Sequence, residues 1–178
     1  MIRIVPESSM DARLDAEIRR GLCVCFPPDV DVFSQTRKWH GCGPAWSVVL
    51  EDGPAVIAHL GAVERTVDMD GELVRVAGLQ NVYVLPVFRG KGYADQVLNA
   101  AMVEAGRQGY DCGLLFCIPK IVHVYARCGW KTMENVDVVR VDNDGQEKPL
   151  PGVNVAMYYP LRRKELAPRR IHLRGNDW

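Results

Sequence analysis

A basic, glycine-containing loop, Arg89-Gly90-Lys91-Gly92-Tyr93-Ala94, is the part of this sequence best suited to chemistry. It follows a run of β-forming residues, Asn81 to Pro86, and precedes a segment whose apolar residues recur at helical spacing. A glycine turn between a strand and a helix presents unpaired backbone N–H groups and the positive end of the helix dipole. Such a site binds anions and suits a pyrophosphate. We therefore predict that the loop binds a phosphorylated cofactor.

The spacing of this loop differs from both common phosphate motifs, G-x-x-x-x-G-K-[ST] and G-x-G-x-x-G. Its pattern, R-x-x-G-x-A, resembles the pyrophosphate loop [QR]-x-x-G-x-[GA] of the GCN5-related N-acetyltransferases (GNAT). A second motif of that superfamily, a helical Tyr followed by Gly and an aromatic residue, is matched by Tyr125 to Trp130. The resemblance implies acetyl-CoA as co-substrate. By the same resemblance, the contacting residues are Val82, Tyr83, Val84, Arg89, Gly90, Lys91, Gly92, Tyr93 and Ala94.

The elements that must position the loop are strands, then strand–helix units, then further strands. This order predicts one α/β domain over residues 1–178, with a mixed, mostly antiparallel sheet, helices on both faces, and a C-terminal tail at 160–178. Ser8 or Ser9 is expected to cap the first helix. We predict hairpin turns at Glu51–Pro54 and Asp68–Gly71, and a final antiparallel pair formed by 136–141 and 153–159.

Composition excludes several other classes of protein. Lys plus Arg and Asp plus Glu are equal at 22 each, so overall charge does not indicate a nucleic-acid or membrane partner. None of the six cysteines forms a C-x-x-C pair and no His lies at zinc-like spacing, so we expect reduced thiols and no metal site. No signal-peptide or membrane-length apolar run is present, which predicts a cytoplasmic protein. A homodimer remains open.

Acetyl transfer to an amine needs a proton donor for the leaving thiolate and a neutral acceptor nitrogen. Tyr125 matches the superfamily's general acid; its alternative role is packing in the core. Glu64 is the first candidate for the general base, acting through water; its alternative role is a solvated charge at a strand edge. His59 is the second candidate, and a lone His in an apolar strand is more often a hydrogen-bonded core residue.

A narrower resemblance, covering most of the chain, is to the aminoglycoside 2'-N-acetyltransferases. It rests on the strand Ala55 to His59 and on the terminal run Leu173 to Trp178. It implies an acidic acceptor site for an aminoglycoside or another amino sugar, with substrate-binding residues Asp29, Asp31, Gln80, Asp177 and the Trp178 ring and carboxylate.

This chain departs from that family in its acidic residues. The family's second acid in the acceptor loop is matched only by Asp31, at a different spacing, and a family Glu is replaced by Gln80, which cannot act as a base. The sequence therefore predicts an acetyl-CoA-dependent N-acetyltransferase acting directly on a small-molecule primary amine. The alternatives are a longer-chain N-acyltransferase of the rhizobial nodulation type and a non-catalytic acyl-CoA-binding protein.

Overall fold

The computed structural model describes all 178 residues and contains ten strands and four α-helices. The strands are β1 (Ile2–Pro6), β2 (Trp46–Asp52), β3 (Ala55–Met69), β4 (Glu72–Val84), β5 (Cys112–Cys117), β6 (Lys131–Thr132), β7 (Asp137–Val141), β8 (Glu147–Pro149), β9 (Val155–Pro160) and β10 (Arg170–His172). The helices are α1 (Ala12–Cys25), α2 (Val30–Phe33), α3 (Tyr93–Arg107) and α4 (Val122–Ala126).

All ten strands belong to one sheet, in the order β6-β9-β5-β4-β3-β10-β7-β8, with β2 also pairing with β3 and β1 with β2. Two pairs, β4 with β5 and β10 with β7, are parallel, and the remaining pairs are antiparallel. The predicted mixed, mostly antiparallel sheet is therefore confirmed. The long strand β3 pairs with β2 near its start and with β10 near its end, so it joins two parts of the sheet.

Three groups of buried side chains hold the fold together. Helix α3 packs its apolar stripe, including Val97, Leu98 and Ala101, on one face of the sheet. Helix α1 buries Leu14, Ile18 and Leu22 against the other face. A third cluster of buried side chains has members on β3, β4, β5, β7, β9 and β10 and forms a separate part of the core. Helices on both faces were predicted, and the third cluster was not.

The predicted hairpin turns are confirmed. Asp70 and Gly71 both have positive φ, +53° and +89°, which is the conformation of a type I′ turn between β3 and β4. Gly53, with φ +58°, lies in the turn between β2 and β3. Because both turns are short, β2, β3 and β4 lie side by side in the sheet. The loop that carries Arg89 to Ala94 follows directly after β4.

Two predictions about local structure are wrong. The segments 136–141 and 153–159 do not pair with each other: β7 pairs with β8 and β10, whereas β9 pairs with β5 and β6. The cap of α1 is Asp11, whose carboxylate accepts a hydrogen bond from the Leu14 N–H at 2.8 Å. Ser8 and Ser9 lie in a preceding 3₁₀ turn. Within residues 160–178, the segment predicted as a tail, Arg170–His172 forms strand β10.

Candidate active site

Strands β4 and β5 separate part-way along their length. They pair only through Val76–Gly78 and Cys112–Leu114, although β5 continues to Cys117 and is paired with β9 throughout. Beyond Gly78, the backbone of β4 on the side toward β5 therefore has no ladder partner. Unpaired backbone groups of this kind need a partner, which a bound molecule can supply.

The separated part of β4 contains a β-bulge at Asn81. The register with β3 shifts between His59 and Gly61, and Asn81 adopts φ +55°, a left-handed conformation that Asn tolerates better than most residues. The Asn81 side-chain amide donates a hydrogen bond to the Arg37 carbonyl at 2.7 Å. Nδ1 of His59 lies 3.0 Å from the Asn81 carbonyl. These contacts hold the bulge from two directions.

His59 is fully buried, and burial lowers its pKa to about 3, so the ring is neutral at physiological pH. A carbonyl only accepts hydrogen bonds, so Nδ1 must carry the proton that bonds Asn81. Nε2 is then an acceptor for the Ser47 hydroxyl at 3.3 Å. With both ring nitrogens occupied, and with no access to either cavity described below, His59 is placed to hold the bulge.

Arg37 completes this network. No pattern in the sequence indicates its role, because it lies in an irregular loop. Its side chain is only 4% exposed. It forms ion pairs with Asp15 and Glu7, both at 2.7 Å, and its Nη1 donates to the Ser47 hydroxyl at 3.4 Å. The buried charge is therefore paired, as burial requires. Arg37 ties the N-terminal part of the chain to the bulge.

A cavity of about 700 Å³, which we call the loop cavity, opens between the separated strands and the loop after β4. Most of the residues predicted to bind the cofactor line it: Val82, Tyr83, Val84, Arg89, Gly90, Gly92, Tyr93 and Ala94. Lys91 does not; its ammonium lies over the Phe88 ring, 5.5 Å from the centroid. The Tyr83 side chain is buried against Gly21, which leaves its backbone to face the cavity.

The loop has the geometry of an anion site. Gly90 and Gly92 have φ +78° and +76°, and a Cβ on either would meet no atom within 4 Å, so the space beside both glycines is open. Gly92 is the N-cap of the 15-residue helix α3, and no side chain caps that end. The first N–H groups of α3 are thus available to a phosphate.

A second cavity, of about 340 Å³, adjoins the first; we call it the Trp178 cavity. Four residues line both cavities: Phe26, Val82, Ile121 and Tyr125. Of the predicted acceptor residues, Asp29, Gln80, Asp177 and Trp178 line the Trp178 cavity. These residues come from widely separated parts of the chain.

Tyr125 lies where the two cavities meet. It comes from α4, is 8% exposed, and packs edge-on against Trp130 at a centroid distance of 6.2 Å. Burial, and secondarily the nearby Cys117 thiol, raises the pKa of Tyr125 above its usual value. The phenol therefore keeps its proton at neutral pH. It is placed to donate that proton to an atom between the cavities.

Glu64 and Asp31 lie outside both cavities. Glu64 is exposed on β3, where its carboxylate accepts a hydrogen bond from the Tyr110 hydroxyl at 2.9 Å and forms an ion pair with Arg75 at 3.1 Å. Asp31 is exposed on α2. The structure does not bring either residue to Tyr125.

Asp177 lines the Trp178 cavity with its charge already paired. Its Oδ1 lies 3.1 Å from Arg140 Nη1 and 2.9 Å from His40 Nδ1. The neighbouring Trp178 is 5% exposed and packs on Gly78, where a Cβ would lie only 2.2 Å from the indole. The guanidinium of Arg65 stands over the same indole, 5.1 Å from the centroid. Sequence reasoning missed Arg65 and Arg140, because neither is near this site along the chain.

The comparisons with known proteins agree with this geometry. The family model for the acetyltransferase (GNAT) domain matches residues 16–133, which is more than half of the chain. The chain belongs to the GNAT family. The matched range includes the loop after β4, the bulge and Tyr125. Membership of this family confirms the superfamily resemblance, the fold and the assignment as an acetyltransferase.

Solved structures, two of them named as GNAT acetyltransferases, share the fold at low sequence identity. Escherichia coli ElaA has a TM-score of 0.64 at 12% identity, covering 89% of this chain and 98% of that one. E. coli YhbS, crystallised with CoA, has a TM-score of 0.62 at 17% identity, covering 98% and 89%. A GNAT acetyltransferase from Brucella melitensis, crystallised with acetyl-CoA, has a TM-score of 0.54 at 22% identity, covering 74% and 83%.

Three structural findings bear on other chemistry. No group of three or more His, Cys, Asp or Glu side chains is arranged to hold a metal ion. All six cysteines are free thiols. None of the helices combines the length and the apolar character that crossing a membrane requires.

Proposed function

We propose that this GNAT protein transfers an acetyl group from acetyl-CoA directly to a primary amine of a small molecule. The observation that carries the proposal is the meeting of two cavities at Tyr125 and Val82, one against an anion-binding loop and the other lined by Asp29 and Trp178. A donor and an acceptor bound in these cavities would have their reacting groups beside one proton-holding phenol. Holding two reactants in this way removes much of the entropic cost of their encounter.

The residues of the loop cavity fit acetyl-CoA. In this proposal the N–H groups at the start of α3 and those of Gly90 and Gly92 bind the pyrophosphate, and Arg89 adds a positive charge. The separated strand, at Val82 or Val84, offers backbone N–H groups to the pantetheine and to the thioester oxygen, where they would stabilise negative charge. When bound, acetyl-CoA supplies an activated acetyl thioester. Tyr125 then holds the proton that the departing sulfur needs.

The cysteines near the cavities support direct transfer. Cys117 lines the Trp178 cavity, and burial raises its pKa to about 11. Cys25 lines the loop cavity, and burial raises its pKa as well, against a smaller opposing effect of Arg89. Since the thiolate is the nucleophile, neither side chain is suited to carry the acetyl group at neutral pH.

Steady-state kinetics test the proposal. Release of the CoA thiol is measured with acetyl-CoA and a panel of amines that includes arylalkylamines, amino sugars and the aminoglycosides predicted from the sequence. Direct transfer predicts intersecting initial-velocity lines and full activity in Cys25→Ala and Cys117→Ala. Parallel lines would contradict direct transfer, and absence of turnover across the panel would favour a non-catalytic acyl-CoA-binding protein. Octanoyl-CoA in place of acetyl-CoA tests the longer-chain alternative.

A further inference from the structure

We infer that the Trp178 cavity accepts an amine with a single ammonium group on an aromatic or compact apolar body, and that it disfavours polycations such as aminoglycosides. This inference rests on the proposed function and names its substrate class. It differs from the aminoglycoside acceptor that the sequence resemblance implies.

The walls of the Trp178 cavity are mainly apolar and aromatic. Twelve of its seventeen lining residues are hydrophobic. They include two aromatic pairs, Phe33 with Trp39 at a centroid distance of 5.6 Å and Phe116 with Trp178 at 5.5 Å. Aromatic walls favour a flat apolar body, since ring pairs at such distances add attraction beyond simple burial. Ammonium groups without partners are costly in the same surroundings.

Several of the polar groups in these walls are already used by the protein, whereas Oε1 of Gln80 and the indole N–H of Trp178 have no partner. The Gln80 amide donates to the Cys42 carbonyl at 2.9 Å, and the Asn81 amide donates to the Arg37 carbonyl at 2.7 Å. The Asp177 carboxylate is paired with Arg140 and His40. The hydrogen-bonding groups that remain are therefore fewer than the many hydroxyl and ammonium groups of a sugar antibiotic require.

Positive charge surrounds the Asp177 end of the cavity. Arg140 bonds both Asp177 and the Asn176 side chain, at 3.1 and 2.7 Å. Arg65 lies over the Trp178 ring and donates to the Asn176 carbonyl. Two guanidinium groups repel a second or third ammonium group of an incoming ligand. The Asp177 carboxylate of the acidic site that the family resemblance implies is thus neutralised here.

Of the two side-chain carboxylates that line the cavity, Asp29 is the one without an ion-pair partner in the protein. Its side chain also does not cap the short helix that follows it. It can therefore pair with one ammonium group of a substrate. In the reaction, the amine first loses a proton to solvent, and its nitrogen lone pair then forms the N–C bond. The C–S bond breaks with its electron pair going to sulfur, Tyr125 protonates the sulfur, and the nitrogen releases a second proton to restore the phenol.

The test compares acetylation of 2-phenylethylamine, glucosamine and kanamycin at saturating acetyl-CoA. We expect kcat/KM for 2-phenylethylamine to exceed both others by about tenfold or more, a ratio that a difference of about 1.4 kcal/mol in transition-state binding produces. A higher kcat/KM for kanamycin or glucosamine would overturn the inference while leaving the proposed function intact.

Matched variants test the role of Asp29. Asp29→Asn should raise the KM for 2-phenylethylamine about tenfold, with the KM for acetyl-CoA unchanged, because an ion pair in an apolar site is lost. Asp31→Asn is the control, since Asp31 is exposed nearby and does not line the cavity. Equal effects of the two substitutions, or no effect of Asp29→Asn, would contradict the assignment.

Calorimetry separates the inference from the proposed function. In the presence of CoA, 2-phenylethylamine should bind the wild-type protein at least about tenfold more tightly than 2-phenylethanol, which lacks the ammonium group. Binding of this kind without turnover would support the substrate class and overturn the enzymatic proposal. Equal affinity for the two compounds, or no binding of either, would overturn the inference.

Discussion

Tyr125 and His59 are both buried titratable side chains, and each keeps one protonation state over the physiological range for a different use. Burial raises the pKa of Tyr125, so its phenol remains a donor at the junction of the two cavities. Burial lowers the pKa of His59, so its neutral ring can donate at Nδ1 and accept at Nε2. At the residue scale, the proposed function gives Tyr125 a part in the reaction and His59 the role of holding the backbone near it.

Replacing Tyr125 with Phe tests the first role. The substitution removes only the hydroxyl, so folding and the KM for acetyl-CoA should be retained while kcat falls by about 10- to 100-fold. The effect should lie at the low end for general acids, because a thiolate is a weakly basic leaving group. Steady-state kinetics measure it. Unchanged kcat would leave Tyr125 as a packing residue.

Two substitutions at His59 separate positioning from base catalysis. Asn keeps a donor for the Asn81 carbonyl, so His59→Asn should retain most activity and the same pH–rate profile. His59→Leu leaves the Asn81 carbonyl and the Ser47 hydroxyl without a partner and should cost about 1–3 kcal/mol of stability together with a lower kcat. Complete loss of activity in stable His59→Asn would indicate that the ring takes part in proton transfer.

The lowered pKa of His59 also predicts a pH dependence of stability. At a pH between 6.5, the ordinary pKa of histidine, and about 3, its pKa in the folded protein, His59 binds a proton in the unfolded chain but not in the folded one. Stability is therefore complete above pH 6.5 and falls as the pH drops, by at most about 1.4 kcal/mol per unit. Between pH 6.5 and 5 the wild type should lose up to about 2 kcal/mol more than His59→Asn in urea unfolding. Equal losses would mean that the ring is protonated in the folded state.

At the scale of elements, the strand β4, the glycine loop and helix α3 form a unit that the sequence predicts well. The positive φ of Gly90 and Gly92 and the periodic apolar face of α3 depend on residues close in the chain. The separation of β4 from β5 is different, because it depends on the pairing of strands that are not adjacent in the chain. The loop could therefore be located from a local pattern, whereas the opening beside Val82 to Val84 could be expected only from the family resemblance.

A pair of substitutions at Gly92 tests the anion site. Asp and Asn have similar shapes and both tolerate a positive φ, so the two variants differ mainly in charge. At about 100 times its dissociation constant, acetyl-CoA should stabilise the wild type by about 2.7 kcal/mol. Gly92→Asp should abolish this gain in thermal unfolding experiments, and Gly92→Asn should keep a substantial part of it. Equal gains in both variants would place the pyrophosphate elsewhere.

Across the whole molecule, the Trp178 cavity is assembled from segments that are far apart in sequence. Asp29 follows α1, Phe116 lies on β5 and Trp178 lies beyond β10. Individual residues such as Asp29 and Trp178 could be proposed from a family resemblance. Asp177 is ion-paired with Arg140 and lies within hydrogen-bond distance of His40, and no local pattern links these residues. The same limit explains the wrong pairing of β7 with β9, since strand partners are chosen by non-local packing.

Gly78→Ala tests how the C-terminal segment completes the cavity. A Cβ at this position would lie 2.2 Å from the Trp178 indole, so the ring must move. The variant should therefore resemble Trp178→Ala, with a several-fold higher KM for the amine and an unchanged KM for acetyl-CoA. Tryptophan fluorescence reports the displacement of the ring, and kinetics report its effect. Gly106→Ala, where the nearest atom outside the helix is 3.7 Å away, is the control.

The bulge at Asn81 also reverses which side chains of β4 point to each face of the sheet. Before it, Ala77 and Leu79 face α3; after it, Val82 and Val84 pack on that side, and Tyr83 points toward α1. In an uninterrupted strand of the same sequence, Tyr83 would occupy the α3 side. Loss of one residue here would therefore turn the Tyr83 side chain to the face that Val82 and Val84 now occupy. Its phenol would then enter the loop cavity. Related chains should vary in length at the hairpin tips but keep the number of residues between Gly78 and Gly90 fixed.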